Sequence, residues 1–164
     1  MAVRRVYLGL GTNLGDRQDN IARAVRQIEG KIGKVVSLSS LFITEPWGFV
    51  SENTFANAAL CVETDMAASV ILAACQDIER GMGRTSKSRG GIYHDRVIDI
   101  DILIIEGKSI STPALTVPHP LMHLRAFVID PMAEIAPSLV HPPTGKTMLQ
   151  LRDELHGLPH QHEV

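Results

Sequence analysis

The sequence predicts an α/β (α+β) fold with a ferredoxin-like βαββαβ core, extended toward the C-terminus by a further strand and short helices. Three observations predict it. Hydrophobic spacing alternates between periods of 2 and 3.6 in the order strand, helix, strand, strand, helix, strand. Both helical stretches carry one apolar stripe, so each covers one face of a sheet. The last strand of the core, 97–105, is the most apolar in the chain.

The elements follow in order. Val3 to Leu10 is short, partly β-branched and ends in Gly9-Leu10-Gly11, a strand running into a loop. Asp16 offers an N-cap, and Ile21, Val25, Ile28 and Ile32 recur at helical spacing before Gly33. Val35 to Thr44 reads as one strand, broken by Glu45-Pro46-Trp47-Gly48-Phe49, with a loop running to Thr54. Phe55 to Thr64 is a second strand, antiparallel to the one before it. Thr64 or Asp65 caps a helix in which Val70, Ile71, Ala74 and Ile78 share a face, ending near Gly81. A basic, glycine-containing loop, Arg84 to Gly91, leads into the strand 97–105. The Pro-rich remainder holds helices over 124–135 and 148–156. With no repeat, low-complexity tract or linker in view, the expectation is one domain spanning 1–164.

Composition narrows the function. A chain of 164 residues buries roughly 70% of the surface its unfolded form exposes, so a core forms without staples. A hydrophobic content of 45% excludes a disordered chain. The net charge of −2 argues against a nucleic-acid-binding or membrane-attracted surface. No stretch approaches the roughly 20 apolar residues of a membrane span, and the start turns glycine-rich too soon for a signal peptide. A cytoplasmic protein without nucleic-acid or membrane partners is expected. Cys61 and Cys75 stand in apolar segments far from CxxC spacing and read as buried thiols.

Chemistry concentrates in Val97-Ile98-Asp99-Ile100-Asp101-Ile102-Leu103. Side chains alternate along a strand, so Asp99 and Asp101 share a face. Spacing alone leaves two readings open: acidic residues facing water, or ligands of a divalent cation. Asp is a poor strand former, yet two occur in the most apolar strand. Arg84, Lys87, Arg89 and Arg96 precede them, an excess of positive charge suited to a polyphosphate. Mg²⁺ commonly takes one or two carboxylates and completes its shell with water and substrate phosphates. The loop Gly9 to Gly15 has the spacing GxGxxxG, lacks a following Gly-Lys-Ser/Thr, and reads as a structural turn from which Thr12 or Asn13 can face a substrate. Pro118-His119-Pro120 holds a histidine rigidly, with Arg125 close behind. The other histidines show no zinc-type spacing.

Taken together, these segments resemble the 6-hydroxymethyl-7,8-dihydropterin pyrophosphokinase family over nearly the whole chain. The resemblance rests on Gly9-Leu-Gly-Thr-Asn-Leu-Gly15, Thr44-Glu-Pro-Trp-Gly48, Phe55-Ala-Asn-Ala-Ala59, Arg96-Val-Ile-Asp-Ile-Asp-Ile-Leu103, Leu115-Thr-Val-Pro-His-Pro120 and Arg125-Ala-Phe127, in that order. It implies transfer of the β,γ-pyrophosphoryl group of ATP to the hydroxymethyl oxygen of the pterin, giving AMP and the pterin diphosphate, in folate biosynthesis. It also implies two Mg²⁺ ions held by Asp99 and Asp101, and catalytic cations at Arg84 and Arg96. Gln76, Glu79, Arg84, Arg96, Ile102, Thr116, His119 and Arg125 become ATP contacts. Thr44, Glu45, Pro46, Trp47, Phe55, Asn57, Tyr93, Asp99 and Phe127 become pterin contacts, with Phe55 and Phe127 sandwiching the flat ring. A monomer, with loops at about 45–54 and 84–95 closing over both substrates, completes the expectation.

The chain departs from the family pattern in places. Tyr93-His94-Asp95 stands where members often carry Trp-Gly-Pro, Ala114 where some have a basic ATP contact, and Glu45 and Trp47 where a Pro or Leu is frequent. Lys87 and Arg89 both remain open as the second loop cation.

Overall fold

β1 (Arg4–Thr12) runs through the middle of an antiparallel sheet in a computed structural model that describes residues 2–44, 54–83 and 97–157. Its neighbours are β4 (Phe55–Thr64) on one side and β5 (Asp99–Ile105) on the other. Beyond β4 lie β2 (Lys34–Leu38) and β3 (Phe42–Thr44), both antiparallel to it, so the order across the sheet is β2-β4-β1-β5 with β3 continuing the β2 edge. The chain is a mixed α/β fold in which four helices pack on this sheet.

Strand alternation sends Val6, Leu8 and Leu10 of β1, Ala58, Leu60 and Val62 of β4, and Ile100 and Ile102 of β5 to one face. There they meet α1 (Arg17–Lys31) and α2 (Ala68–Gly81). At about 1.5–3 kcal/mol per fully buried aliphatic side chain, this layer is the main source of stability. The opposite face carries Tyr7, Ala59, Cys61, Leu103 and Ile104, covered by α3 (Ala126–Ile135) and α4 (Met148–Leu155).

α1 forms as its sequence directs. The Asp16 carboxylate accepts from the Asp19 amide at 3.0 Å, and Ile21, Ala24 and Ile28 bury one face. Gly33 follows because a Cβ there would lie 2.1 Å from the Glu63 carbonyl oxygen. α2 departs from expectation at its start. Its N-cap is Ala67, without a side-chain bond, while Thr64 Oγ1 accepts from the Met66 amide in the preceding turn. The buried stripe is Ile71, Cys75, Ile78 and Glu79, which leaves Val70 exposed on the flank.

The strand expected over 35–44 is two strands, broken at Ser39–Leu41, where the register against β4 slips by one residue. β1 runs on through Gly9 and Gly11 to Thr12 rather than ending in a loop, and β5 begins at Asp99 rather than Val97. A 3-10 turn, Met122–Leu124, precedes α3, which starts at Ala126 and buries Pro131 in its middle. Two short pairs, β6 (Ile110–Ser111) with β7 (Thr116–Val117) and β8 (Val140–His141) with β9 (Lys146–Thr147), decorate the C-terminal part. A reciprocal Thr147–Gln150 capping box starts α4.

Cys61 and Cys75 are buried free thiols, as expected. Burial, with lesser contributions from Glu79 and Asp101, pushes the Cys75 thiol up to about 12. The His123 and His141 rings stack at 5.1 Å. His141 bonds Thr144 Oγ1 through Nδ1 at 2.8 Å, and burial followed by His123 lowers its pKa. Among the described residues no helix is long and apolar enough to cross a membrane.

Candidate active site

On the face of the sheet turned away from α1 and α2, α3 and α4 build an apolar cluster at the Tyr7–Cys61–Ile104 end. The residues singled out by sequence lie toward the other end. Asp99 and Asp101 oppose Gly11 and Gly9 of β1. Gly11 also opposes Asn57 of β4, and Asn57 opposes Phe42 of β3. One cross-strand row therefore reads Phe42, Asn57, Gly11, Asp99. The expected metal side and pterin side are two ends of a single row, separated by a residue without a side chain.

This arrangement explains the glycines. A Cβ on Gly11 would sit 3.3 Å from Asn57 Oδ1 and 3.9 Å from Phe55 Cδ1. Glycine here leaves room for the Asn57 amide by close approach, not by a positive φ, since the tight turn comes later, at Gly15 with φ +66°. Thr12 faces the interior instead of a substrate: it is fully buried and its Oγ1 accepts from Asn20 Nδ2 at 3.1 Å. Asn13 is buried as well.

On the pterin side, Asn57 Nδ2 donates to Thr44 Oγ1 at 3.0 Å and toward the Phe42 carbonyl at 3.4 Å. These contacts orient the amide within the sheet face. Phe55 opposes Thr44 in the next pair, is half-buried and shares the face of Asn57. Arg17, at the first turn of α1, reaches across to this segment: its Nη1 donates to the Thr54 carbonyl at 2.7 Å and to Thr54 Oγ1.

On the ATP side, the His119 amide donates to the Leu103 carbonyl at 2.9 Å, hanging the Pro118–Pro120 segment on the outer edge of β5. Burial, then the Arg125 charge, lowers the His119 pKa, while Asp99 acts in the opposite sense. His119 thus stands within electrostatic range of both Arg125 and Asp99. The Arg125 guanidinium lies 5.7 Å from the centroid of the Phe127 ring, a cation–π contact at the start of α3. Thr116 is exposed on β7.

Gln76 is exposed on α2, but Glu79 is not a surface residue of that helix. It is only 7% exposed, and its Oε2 accepts from the Ile100 amide at 2.8 Å, between the two aspartates. Ile102 is buried in the α1/α2 core, so only its backbone is available to a nucleotide. Glu45, Pro46, Trp47, Arg84, Lys87, Arg89, Tyr93 and Arg96 lie outside the described residues.

Comparison with known proteins bears on this floor of aspartates, glycines and an oriented amide. The sequence profile of the 7,8-dihydro-6-hydroxymethylpterin-pyrophosphokinase (HPPK) family matches residues 7–137. The chain belongs to this family. A 2-amino-4-hydroxy-6-hydroxymethyldihydropteridine pyrophosphokinase of Porphyromonas gingivalis is 45% identical over 138 residues, covering 84% of this chain and 93% of the relative. One from Methylorubrum extorquens is 42% identical over 137 residues, covering 83% and 85%. The fold agrees with a crystal structure of an HPPK-DHPS in complex with substrates, at a TM-score of 0.74 and 13% identity. That match covers 94% of this chain but 43% of the longer one, so the chain spans less than half of it.

For an HPPK, the features that sequence reasoning missed are those built by distant pairs. Glu79 is tied to Ile100, Arg17 to Thr54, and Glu134 of α3 to Ser40 at the break between β2 and β3. None of these pairs leaves a periodic signal in the sequence. The glycines at alternate positions of β1 are the exception, because alternate glycines in a strand mark close approach on one face.

Proposed function

We propose that this chain transfers the pyrophosphoryl group of ATP to the hydroxymethyl oxygen of 6-hydroxymethyl-7,8-dihydropterin on the face of its sheet that carries Asn57, Gly11 and Asp99, using Mg²⁺ held at Asp99 and Asp101. Family membership makes it a pyrophosphokinase of folate synthesis. The observation that carries the assignment of the site is the single row Phe42, Asn57, Gly11, Asp99. It brings an amide suited to a heterocycle's polar edge within two strands of a carboxylate suited to a phosphate-bound cation.

The donor set fits Mg²⁺ chemically. Asp99 and Asp101 offer oxygen ligands only, and no cluster of three or more His, Cys, Asp or Glu side chains exists among the described residues. Two carboxylates suit an ion that completes its shell with water and phosphate oxygens. When bound, such ions neutralise charge on the phosphates of ATP. The reading takes two of them, as the family pattern implies.

The chain's own residues then divide the work. Asn57, oriented by Thr44, binds the pterin edge, and Phe55 and Phe127 take its faces. Gly9 and Gly11 leave the floor open between pterin and phosphate. His119 offers a hydrogen bond from its imidazole, while Arg125 supplies charge that does not titrate. Arg84 and Arg96 stabilise charge on the transferring group. Gln76, Thr116 and the Ile102 backbone form the nucleotide side, with Glu79 supporting it from behind through the Ile100 amide. Because phosphoryl-type transfer depends mainly on positioning and electrostatics, a rigid strand floor suits it.

The sheet order β2-β4-β1-β5, with both crossover helices on one face, supports reading the core as the ferredoxin-like split βαβ arrangement. We take the chain to act as one domain and as a cytoplasmic monomer, with ATP and the pterin as its partners. The decisive test incubates it with ATP, Mg²⁺ and the pterin and analyses products by mass. AMP with a pyrophosphorylated pterin is expected; free pyrophosphate with an AMP-bearing acceptor would make it a nucleotidyl transferase instead.

A further inference from the structure

The edge of the sheet beside Asn57 changes register. Upstream, Ser37 and Leu38 oppose Cys61 and Leu60; downstream, Phe42, Ile43 and Thr44 oppose Asn57, Ala56 and Phe55. Continued without interruption, the upstream register would set Leu41 against Asn57 and Ile43 against Phe55. One extra residue at Ser39–Leu41 shifts this by one position, and a one-residue slip exchanges the two faces of a strand. The consequence is specific. Thr44 is turned to the face that carries Asn57, and Ile43 is turned out, 58% exposed.

The extra residue is held by side chains. Ser39 donates its amide to the Ala59 carbonyl at 2.9 Å, and its Oγ accepts from the Ala59 amide at 2.9 Å, so a hydroxyl completes the ladder where the backbone leaves it. Ser40 is gripped from α3. Glu134 Oε1 accepts from the Ser40 amide at 2.7 Å, and Glu134 Oε2 accepts from Ser40 Oγ at 2.8 Å. Both are short, charge-assisted bonds, and both bear on the one residue that the slip adds.

We propose that Glu134 is a positioning residue for the pterin: by clamping Ser40 it fixes the bulged register of the edge strand and so sets Thr44, and through it the Asn57 amide, in the orientation that reads the heterocycle. The inference rests on the proposed use of Asn57 and Thr44. Glu134 touches no substrate, and it acts on the pterin side alone, because the ATP side is built on β5, which both β4 and β1 separate from the β2/β3 edge.

The test is steady-state kinetics with ATP, Mg²⁺ and 6-hydroxymethyl-7,8-dihydropterin on the full chain and on Glu134→Ala, Glu134→Gln and Ser40→Ala. Glu134→Ala should raise KM for the pterin about tenfold, the scale of a lost charge-assisted bond, with KM for ATP within about twofold of wild type. Glu134→Gln keeps an acceptor for the Ser40 amide and a donor for its hydroxyl, so it should recover to within about threefold of wild type. Ser40→Ala, which loses one of the two bonds and leaves the backbone intact, should fall between; it carries the test if Glu134→Ala does not fold. In nuclear magnetic resonance spectra, Glu134→Ala should also weaken the Thr44–Asn57 cross-strand contact. Equal rises in both KM values, or a wild-type KM for the pterin in Glu134→Ala and Ser40→Ala, would overturn the proposal alone. A wild-type chain that does not turn over the pterin would overturn the functional reading and the proposal with it.

Discussion

Replacing Gly11 with alanine tests the row on which the site is built. The backbone there is compatible with a side chain, since Gly11 is not among the glycines of positive φ. The added Cβ would lie 3.3 Å from Asn57 Oδ1, so the amide must give by a few tenths of an ångström. It is tethered at 3.0 Å to Thr44 Oγ1 and cannot move without lengthening that bond. A neutral hydrogen bond contributes about 0.5–1.5 kcal/mol. The methyl also projects onto the floor between pterin and phosphate. The expected result is a rise of roughly tenfold or more in KM for the pterin, corresponding to about 1.4 kcal/mol. Stability should hold or rise slightly, because glycine in a strand interior costs about 0.5–1 kcal/mol relative to alanine.

Two further glycines serve as controls, each with a different neighbour. A Cβ on Gly9 meets Leu103 Cδ1 at 3.3 Å, the end of a flexible side chain, and should be tolerated in folding. A Cβ on Gly33 meets the Glu63 carbonyl oxygen at 2.1 Å, which is backbone of the paired strand β4. That clash should destabilise the fold by about 3 kcal/mol or more. Urea melts and kinetics for both substrates separate the three variants. A Gly11→Ala chain with unchanged KM for the pterin, or one that loses stability as Gly33→Ala does, would refute the close-approach explanation.

Other outcomes follow from the proposed function and from the burial of particular side chains. Asp99→Ala and Asp101→Ala should each abolish Mg²⁺-dependent AMP formation while the thermal midpoint is kept, because neither side chain belongs to the apolar core; wild-type turnover in both would remove the metal assignment. Arg96→Ala should lower kcat far more than it weakens ATP binding, and equal losses in both would contradict a transition-state role. Burial lowers the pKa of His141 below its ordinary 6.5, so the unfolded chain binds the proton first. The associated stability is full above pH 6.5 and is lost as pH falls through the folded-state pKa. His141→Phe, which keeps a ring against His123, should flatten that acid limb in chemical denaturation measured between neutral and mildly acidic pH. Cys61 and Cys75, buried with raised pKa values, should resist alkylation in the native protein and react once it is unfolded.

What the sequence disclosed depended on the range of the forces involved. Asp16 as a cap and Ile21, Ile28 and Ile32 as buried positions were legible because both are settled within one or two helical turns, although Ala24 takes a buried place and Val25 is only partly buried. The shared face of Asp99 and Asp101 was legible because strand alternation has a fixed period. The break at Ser39–Leu41 was not, since its brace comes from Glu134, 94 residues later. Glu79 sat at a helical position compatible with an exposed face, and its burial is set by the Ile100 amide on a strand outside its own element. The α2 cap was misplaced because Thr64 and Asp65 are good capping residues, whereas Thr64 bonds its own turn and the helix begins later, after Ala67. The segments 45–53 and 84–96, where the resemblance puts several substrate contacts, lie outside the described residues.

On the proposed assignment of the site, the two faces of the sheet divide stability from recognition. One face is continuously apolar from Val62 through Leu8 to Ile102 and is closed by two amphipathic helices. Substitutions there cost the transfer energy of the lost side chain plus a cavity term, and they unfold the protein rather than tune it. On the other face, α3 and α4 cover one end, and the strands at the other end carry Gly9, Gly11, Asn57, Asp99 and Asp101. Glycine would weaken an ordinary strand, but β1 is central, paired along its length on both sides and packed by Leu8 and Leu10 beneath. The ladder and the opposite core together offset the loss. A central strand can thus tolerate a bare floor, and the proposed site puts one between Asn57 and Asp99, where a transfer between two bound substrates would use it.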